Sequence, residues 1–376
     1  MLPLYNIRRF MKSLGVVIAC GGTGGHLFPG IAVAEELKAR GHKPLLLISE
    51  KAVDQEASKK YGDLEFVAIP AIAKPPTLSL RMVPFLWKLF LTIRRCKKLL
   101  RERKMDAVVG MGGFTSMPPV FAANRMGLAA FVHDSNALPG RANVMTARYC
   151  HAVFVGMKEA AEFFPRQTVE VTGTPFRKEI RVLPSRADAA AKLGLDAERT
   201  VVAVMGGSQG ARQLNRLVAE AFTDFPPGTQ VLHVAGTKDL AEVQASVVGK
   251  RGYVVLGFCD DMASVYAVAD LCVCRSGASS LTELAHAGVP SILVPYPFAA
   301  DDHQTKNAAV FVAAGASKMA QERELNAEKL AGMVGEILQD GAVYAGMKKA
   351  TSALNVADAA GRVCDAIEKT IEVAVM

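Results

Sequence analysis

One tryptophan, seven histidines and seven cysteines are all that the 376 residues contain of those types. The cysteines are odd in number and none has C-x-x-C spacing. That excludes a zinc knuckle and a closed disulfide framework, and it points to a reduced, cytosolic compartment. Long hydrophobic runs are lacking as well. The uncharged stretches Ser13 to Ala34 and Ala107 to Asn124 are interrupted by paired glycines and by proline, so neither reads as a membrane span. Arg8, Arg9 and Lys12 before Leu14 to Cys20 imitate a lipoprotein signal. The apolar stretch, about six residues, is shorter than the ~7–15 of a signal's apolar region, and it reads instead as a first strand. The expectation is a protein that is soluble or bound at a surface.

What is present is a chain with 51% hydrophobic and 21% charged residues, too apolar to be disordered and too long for one core. Two domains of roughly 150 to 200 residues are expected. The formal charge is +8, and its location is more informative than its size. Nine cations and one anion, Glu102, lie between Arg81 and Lys104, which accounts for the whole excess. The rest of the chain is neutral and no nucleic-acid recognition motif accompanies the cluster, which argues against a nucleic-acid partner.

An internal echo organises the chain. Val16-Val-Ile-Ala-Cys-Gly-Gly-Thr23 is matched by Val201-Val-Ala-Val-Met-Gly-Gly-Ser208, and Val33-Ala-Glu35 by Val218-Ala-Glu220, all at one offset of 185 residues. Each copy reads as an apolar strand, a glycine turn with a hydroxyl residue and a helix, the opening of a parallel βα domain. Further buried strands are expected at Pro44–Ile48, Ala107–Gly110, Ala130–Val132, Ala152–Val155, Gln230–Val234, Tyr253–Leu256, Leu271–Cys274 and Ser291–Val294. Continuous apolar runs alternating with helical patterns imply α/β sheets covered on both faces. Pro175 to Pro184 reads as the linker, ahead of a helix at Ser185 to Leu193, and the stretch from Ala350 reads as helical. The expected domains are 1–180 and 185–350, followed by a C-terminal helix at 351–376.

Three glycine turns carry the chemistry. Gly21-Gly-Thr-Gly-Gly-His26 fits neither the dinucleotide fingerprint, whose third glycine would fall on Leu27, nor the P-loop, since Ile31 and Ala32 stand where Lys and Ser or Thr belong. A phosphate or sugar cradle and a plain structural turn both remain as readings. His26 follows four glycines at the helix mouth, where a base could reach a substrate hydroxyl. Gly206-Gly-Ser-Gln-Gly-Ala-Arg212 and Gly110-Met-Gly-Gly-Phe-Thr-Ser116 are analogous turns at strand ends. Ligands bind at such edges in doubly wound sheets. Glu283, early in the helix after Arg275-Ser-Gly-Ala278, could accept both hydroxyls of a ribose or be a simple helix-terminal acid.

A helical wheel over 85–100 places Leu86, Leu89, Phe90, Ile93, Cys96 and Leu100 on one stripe, an ordinary core face. Trp87 and Leu91 lie off that stripe beside Arg94, Arg95 and Lys98. Surplus apolar residues among cations read as a patch that dips into anionic lipid, with a solvated helix face as the plainer alternative.

Together, Gly-Gly-Thr-Gly-Gly-His, Gly-Gly-Ser-Gln-Gly-Ala-Arg with Asn215, Phe258-Cys-Asp-Asp-Met262, Arg275-Ser-Gly-Ala and Asp302-His-Gln with Asn307-Ala308 resemble the MurG family of bacterial lipid II-forming N-acetylglucosaminyltransferases. The resemblance runs in the family's order from Val16 to the last helix. It implies a GT-B fold of two Rossmann-like domains facing a cleft, the first on the lipid acceptor and membrane side and the second binding the donor. It also implies a C-terminal helix returning toward the first domain. The implied reaction is inverting transfer of GlcNAc from UDP-GlcNAc to the MurNAc C4 hydroxyl of lipid I, with lipid II as product. A peripheral place on the cytoplasmic face of the inner membrane follows. Another GT-B enzyme acting on UDP-sugars, such as a UDP-GlcNAc 2-epimerase or a glycolipid synthase, is the alternative.

By matching position, the resemblance assigns Ser208 to the donor pyrophosphate, the Cys259 backbone to the uracil, Glu283 to the ribose and Gln304 to the GlcNAc hydroxyls. Thr23, Gly24, Gly25, Asn136 and Arg177 join the donor site, as do Ala278, Ser279, Ser280, Leu281 and Thr282 at the head of the second domain's helix. His133 and Ser116 fall on the acceptor side. One departure is visible: the family's His-Glu-Gln-Asn segment reads His133-Asp-Ser-Asn136. No Asp-x-Asp triplet is present, so no metal or other cofactor is expected.

Overall fold

The computed structural model describes residues 13–22, 24–50, 59–70, 82–206 and 211–375. Thr23 and Ser208 lie outside the described residues. The first sheet has seven strands, β1 (Gly15–Ala19), β2 (Lys43–Ile48), β3 (Glu65–Ala68), β4 (Ala107–Gly110), β5 (Ala129–Asp134), β6 (Ala152–Val155) and β7 (Val169–Val171). Their spatial order is β3-β2-β1-β4-β5-β6-β7. The second sheet holds β8 (Val201–Met205), β9 (Gln230–Val234), β10 (Tyr253–Leu256), β11 (Leu271–Cys274), β12 (Ser291–Leu293) and β13 (Ser317–Met319), in the order β10-β9-β8-β11-β12-β13. The pairings of β1 with β2 and β4, and of β8 with β9 and β11, are parallel.

The central strands fall where the apolar runs predict them, because a strand covered on both faces must be apolar at every position. β1, β4, β6, β8 and β11 are buried throughout. β3, β7 and β13 escape that pattern. They are three or four residues long, lie at sheet margins and keep exposed or half-exposed positions. One open side removes the demand for a continuous apolar run.

Two compact units divide the chain. One comprises 1–133, 145–153 and 361–376, the other 134–144 and 154–360. The expected linker at Pro175 to Pro184 is no bare tether, since Phe176 and Ile180 belong to the core of the second unit with Val265, Leu281 and Phe311. The helix after it starts at Arg186 with Ser185 as its cap, the hydroxyl accepting from Asp188 N, and stops at Gly194 in the left-handed region. The C-terminal stretch forms two helices, Gly341–Ala353 and Ala359–Val375. The second is held in the first unit by Arg40, which meets Asp365 Oδ1 at 2.5 Å, Glu368 Oε2 at 3.1 Å and the Gly361 carbonyl at 3.2 Å. His42 Nε2 lies 2.9 Å from Glu368 Oε1.

Candidate functional site

In the first sheet the chain order reverses between β1 and β4, which are neighbours in register from Val16 opposite Ala107 to Ala19 opposite Gly110. Loops leaving the two strands there diverge to opposite sides, which opens the crevice where doubly wound folds bind ligands. Both glycine turns of this unit lie at that place. Gly21 must be glycine because a Cβ would sit 2.3 Å from Ser49 N, and Gly22 has φ 119°. The helix Gly24–Ala39 begins at once and carries half-buried His26 in its first turn. The second turn is tied to the first, with Thr115 Oγ1 donating to the Gly21 carbonyl at 2.7 Å. A Cβ on Gly113, at φ 74°, would lie 3.4 Å from His26 Cε1. The two turns thus form one floor under His26.

Ser116 is part of that floor. It is fully buried, its Oγ accepts from Gly112 N at 3.0 Å, and its hydroxyl hydrogen serves the Gly112 and Ala19 carbonyls at 2.8 and 3.0 Å. His133 is also fully buried, in β5. Both residues expected on the acceptor side thus lie buried within this unit.

The second sheet reverses between β8 and β11. Gly206 follows β8, and Arg275, Ser276 and Gly277 follow β11, leading into the helix Ala278–Ala287. Gly277 caps that helix from an extended conformation, which leaves the backbone N–H groups of its first turn outside the helical ladder. Ser279 Oγ is buried and has no hydrogen-bond partner among the described residues. Glu283 is buried in the same helix and accepts from Tyr266 Oη at 2.7 Å. Burial pushes its carboxyl above the ordinary range, opposed by the positive charge of Arg177 and by the Tyr266 hydrogen bond. So Glu283 is no helix-terminal acid facing water. Cys259 is half-buried, its thiol raised by burial, with Sγ 3.4 Å from the Asp261 carbonyl.

A polar network runs through the rest of this unit. Asn307 Oδ1 accepts from Ala137 N at 2.9 Å, while its Nδ2 donates to Asn136 Oδ1 at 3.0 Å and to the Ser276 carbonyl at 3.1 Å. Ser276 Oγ donates to the Gln304 carbonyl at 2.8 Å. Asp134, where the family pattern has glutamate, accepts from Asn136 N, Asn136 Nδ2, Gly140 N and Asn143 Nδ2 at 2.7–3.2 Å. A short carboxylate saturated by four donors holds the segment that carries Asn136. Sequence reasoning missed Asp134, Tyr266 and Asn307 as partners of the site residues. Asn307 and Asp134 each had a signal, a place in the motif after Gln304 and in the departing segment before Asn136, while Tyr266 had none.

The cationic helix, Met82–Glu102, departs from its helical wheel. Its buried residues are Phe85, Thr92, Cys96 and Leu100. Leu86 and Phe90, expected in the core, are 53% and 48% exposed beside Trp87 at 62% and Leu91 at 47%. The C-terminal half rests on the core that contains Val17, Leu45 and Val108. Around the first turns the ring of Phe85 meets Phe114 of the glycine loop, 6.2 Å between centroids, and the wheel cannot foresee where that cover ends. The apolar patch is larger than expected. Trp87 and Phe90 are 5.9 Å apart, and the Arg94 guanidinium lies 5.7 Å from the Phe90 ring. Arg94, Arg95 and Lys98 are exposed, with Arg95 Nη2 3.4 Å from the Ala68 carbonyl. Among the described residues no helix is long and apolar enough to cross a membrane, and no three His, Cys, Asp or Glu side chains cluster as metal ligands.

Two doubly wound parallel sheets, each with a glycine-rich segment after the strand at the reversal of order, are the architecture of the GT-B fold. A crystal structure of Acinetobacter baumannii MurG matches over 95% of this chain and all of that one, with 27% identity and a TM-score of 0.78. A UDP-N-acetylglucosamine 2-epimerase structure from Listeria monocytogenes, 15% identical at a TM-score of 0.70 over 96% and 97% of the two chains, shares the fold. The chain belongs to glycosyltransferase family 28, whose N-terminal domain model matches residues 16–155 and whose C-terminal domain model matches 201–363. Two relatives, from Citrifermentans bemidjiense and Myxococcus xanthus, are 36% and 39% identical and cover 94% and 93% of this chain and 98% and 91% of their own. Both are named UDP-N-acetylglucosamine--N-acetylmuramyl-(pentapeptide) pyrophosphoryl-undecaprenol N-acetylglucosamine transferase.

Proposed function

We propose that this glycosyltransferase moves GlcNAc from UDP-GlcNAc to the MurNAc C4 hydroxyl of undecaprenyl-pyrophosphoryl-MurNAc-pentapeptide, making lipid II for peptidoglycan. The observation that carries the proposal is the near full-length identity to relatives of that one name. The site chemistry supports it. Glu283, buried and held by Tyr266, suits the two hydroxyls of a ribose, and Arg177 supplies the charge beside it. Gln304 meets the sugar, and the Cys259 backbone meets the uracil. Ser208 and Thr23 complete the donor contacts of the two glycine turns, with Gly24, Gly25 and Asn136. The segment from Ala278 to Thr282 adds backbone N–H groups and the hydroxyl of Ser279, which has no partner among the described residues.

His26 is the base. It takes the proton of the C4 hydroxyl as that oxygen attacks C1 from the face opposite UDP, which inverts the anomeric centre. Negative charge on the departing UDP is met by backbone N–H groups at helix N-termini, an electrostatic stabilisation that requires no metal. The exposed patch of Leu86, Trp87, Phe90 and Leu91, with Arg94, Arg95 and Lys98, holds the enzyme on anionic lipid where a polyprenyl acceptor resides. This makes it a peripheral protein of the cytoplasmic face of the inner membrane, with no nucleic-acid partner.

The test incubates the protein with labelled UDP-GlcNAc and a short-chain lipid I analogue. Formation of a β-linked GlcNAc-MurNAc product supports the proposal. Conversion of UDP-GlcNAc to its C2 epimer without acceptor, or binding without turnover, would replace it.

A further inference from the structure

Arg275 and Ser276 are consecutive residues that grip Gln304 from two sides. Ser276 holds it directly, through the hydrogen bond to its carbonyl described above. Arg275 acts at a distance. It is buried after β11 and donates from Nη1 to the carbonyls of Val294 and Pro295, both at 3.1 Å. Its Nη2 is ion-paired with Glu322, and both side chains are nearly buried. Its guanidinium lies 5.6 Å from the ring of Tyr296. Tyr296 N in turn donates to Gln304 Oε1 at 2.9 Å.

That last contact settles the orientation of the amide. A backbone N–H can only donate, so the atom facing it is the oxygen, and Nε2 with its two hydrogens points away. Gln304 is therefore presented as a donor, suited to an oxygen of the sugar ring's hydroxyls. Two further residues of the same segment, Asp301 and Asp302, have φ of 51° and 55°, an unusual pair of left-handed non-glycine residues. That pair is held by its own contacts, Arg141 Nη2 to Asp301 Oδ1 at 2.6 Å and Thr305 Oγ1 to Asp302 Oδ1 at 2.7 Å, while the fork of Arg275 holds the start of the segment at Val294 and Pro295.

The geometry points to Arg275 and Glu322 as a positioning pair for sugar selection. Glu322 fixes the guanidinium, the guanidinium fixes Val294 to Tyr296, and Tyr296 N fixes the amide of Gln304. A planar guanidinium is required, because lysine cannot reach two carbonyls and a carboxylate at once. Neither residue touches substrate. The inference rests on the donor-site reading of Gln304 given above.

The experiment compares Glu322→Gln, Arg275→Lys and Glu322→Asp with the wild type, using UDP-GlcNAc, its C4 epimer UDP-GalNAc and UDP alone. For Glu322→Gln the KM for UDP-GlcNAc should rise about tenfold while kcat changes less than about threefold, as displacement of a positioned group predicts. The preference for UDP-GlcNAc over UDP-GalNAc should fall, the affinity for UDP should stay within about twofold, and Glu322→Asp should recover part of the loss. Arg275→Lys should move the same quantities further. Unchanged KM and preference in Glu322→Gln overturn the proposal, and so does a loss of UDP affinity in step with KM, which marks general damage. Should the wild type fail to transfer GlcNAc to lipid I, the reading of the reaction falls. The relative affinities of Glu322→Gln for the two UDP-sugars, measured by calorimetry, still decide the positioning role.

Discussion

Tyr266 Oη donates to Glu283 Oε2 at 2.7 Å, and both residues are buried within one compact unit. The tyrosine is held neutral, its pKa raised well above the usual value by burial and by the carboxylate beside it. Tyr266→Phe leaves Glu283 in place but less constrained. It should raise the KM for UDP-GlcNAc severalfold with little change in kcat, and lower stability by about 1.5–3 kcal/mol, the range for a hydrogen bond to a charged group. Steady-state kinetics and urea unfolding check both.

Glu283 also predicts a pH effect. Its folded-state pKa is raised, so the folded protein holds a proton that the unfolded chain releases first, and this stabilising contribution is lost as pH rises through the folded value. Glu283→Gln removes the titration. The difference in melting temperature between the variant and the wild type should move in favour of the variant from acid to neutral pH. A constant difference across that range would refute the assignment.

His26 and Gly113 make a second pair of predictions. His26→Ala should reduce turnover by ~10²–10⁴ if the imidazole is the base, and a loss under about tenfold at saturating substrates reassigns the role. Gly113→Ala should also slow turnover. Its backbone at φ 74° disfavours a side chain, and the new methyl would press on the His26 ring.

His233 lies far from this chemistry in the chain but governs acid stability. Its ring bridges Tyr253 Oη at 2.8 Å and Asn215 Oδ1 at 3.0 Å, and the Asn215 amide donates to the Ala235 carbonyl and Asp239. Nε2 therefore carries the proton, and Nδ1 accepts from the tyrosine. Burial lowers the pKa to about 4, so the unfolded chain, titrating near ~6.5, takes up a proton the folded protein refuses. Stability should be full above about pH 6.5 and fall as pH drops toward 4. A His233→Gln variant should show a flatter melting temperature over the same window.

The lipid patch predicts a binding result. Trp87→Asp combined with Arg94→Glu should abolish flotation with phosphatidylglycerol vesicles while leaving circular dichroism unchanged, since both residues are exposed. Equal binding by variant and wild type would assign the helix face to water.

How much of this was legible depends on what each residue faces. The central strands and the two glycine turns could be read residue by residue, since burial on both faces and tight turns dictate composition locally. Leu86 and Phe90 could not. A wheel gives the direction of a side chain but not whether protein stands opposite, and the cover ends near Phe85. Ser116 and His133, placed on the acceptor side by the resemblance, are buried, which a short motif does not reveal.

By itself the sequence determined the α/β repeat and the family, and it named the candidate site residues, because those follow from local periodicity and from motifs a few residues long. Only the tertiary structure decided which groups hold them: Thr115 on Gly21, Tyr266 on Glu283, Asp134 on Asn136, and Arg275 with Glu322 behind Gln304. Apart from Asp134 and Asn136, these partners lie well apart in sequence. A hydrogen bond constrains only the two atoms it joins, so such pairings leave almost no periodic trace in the chain.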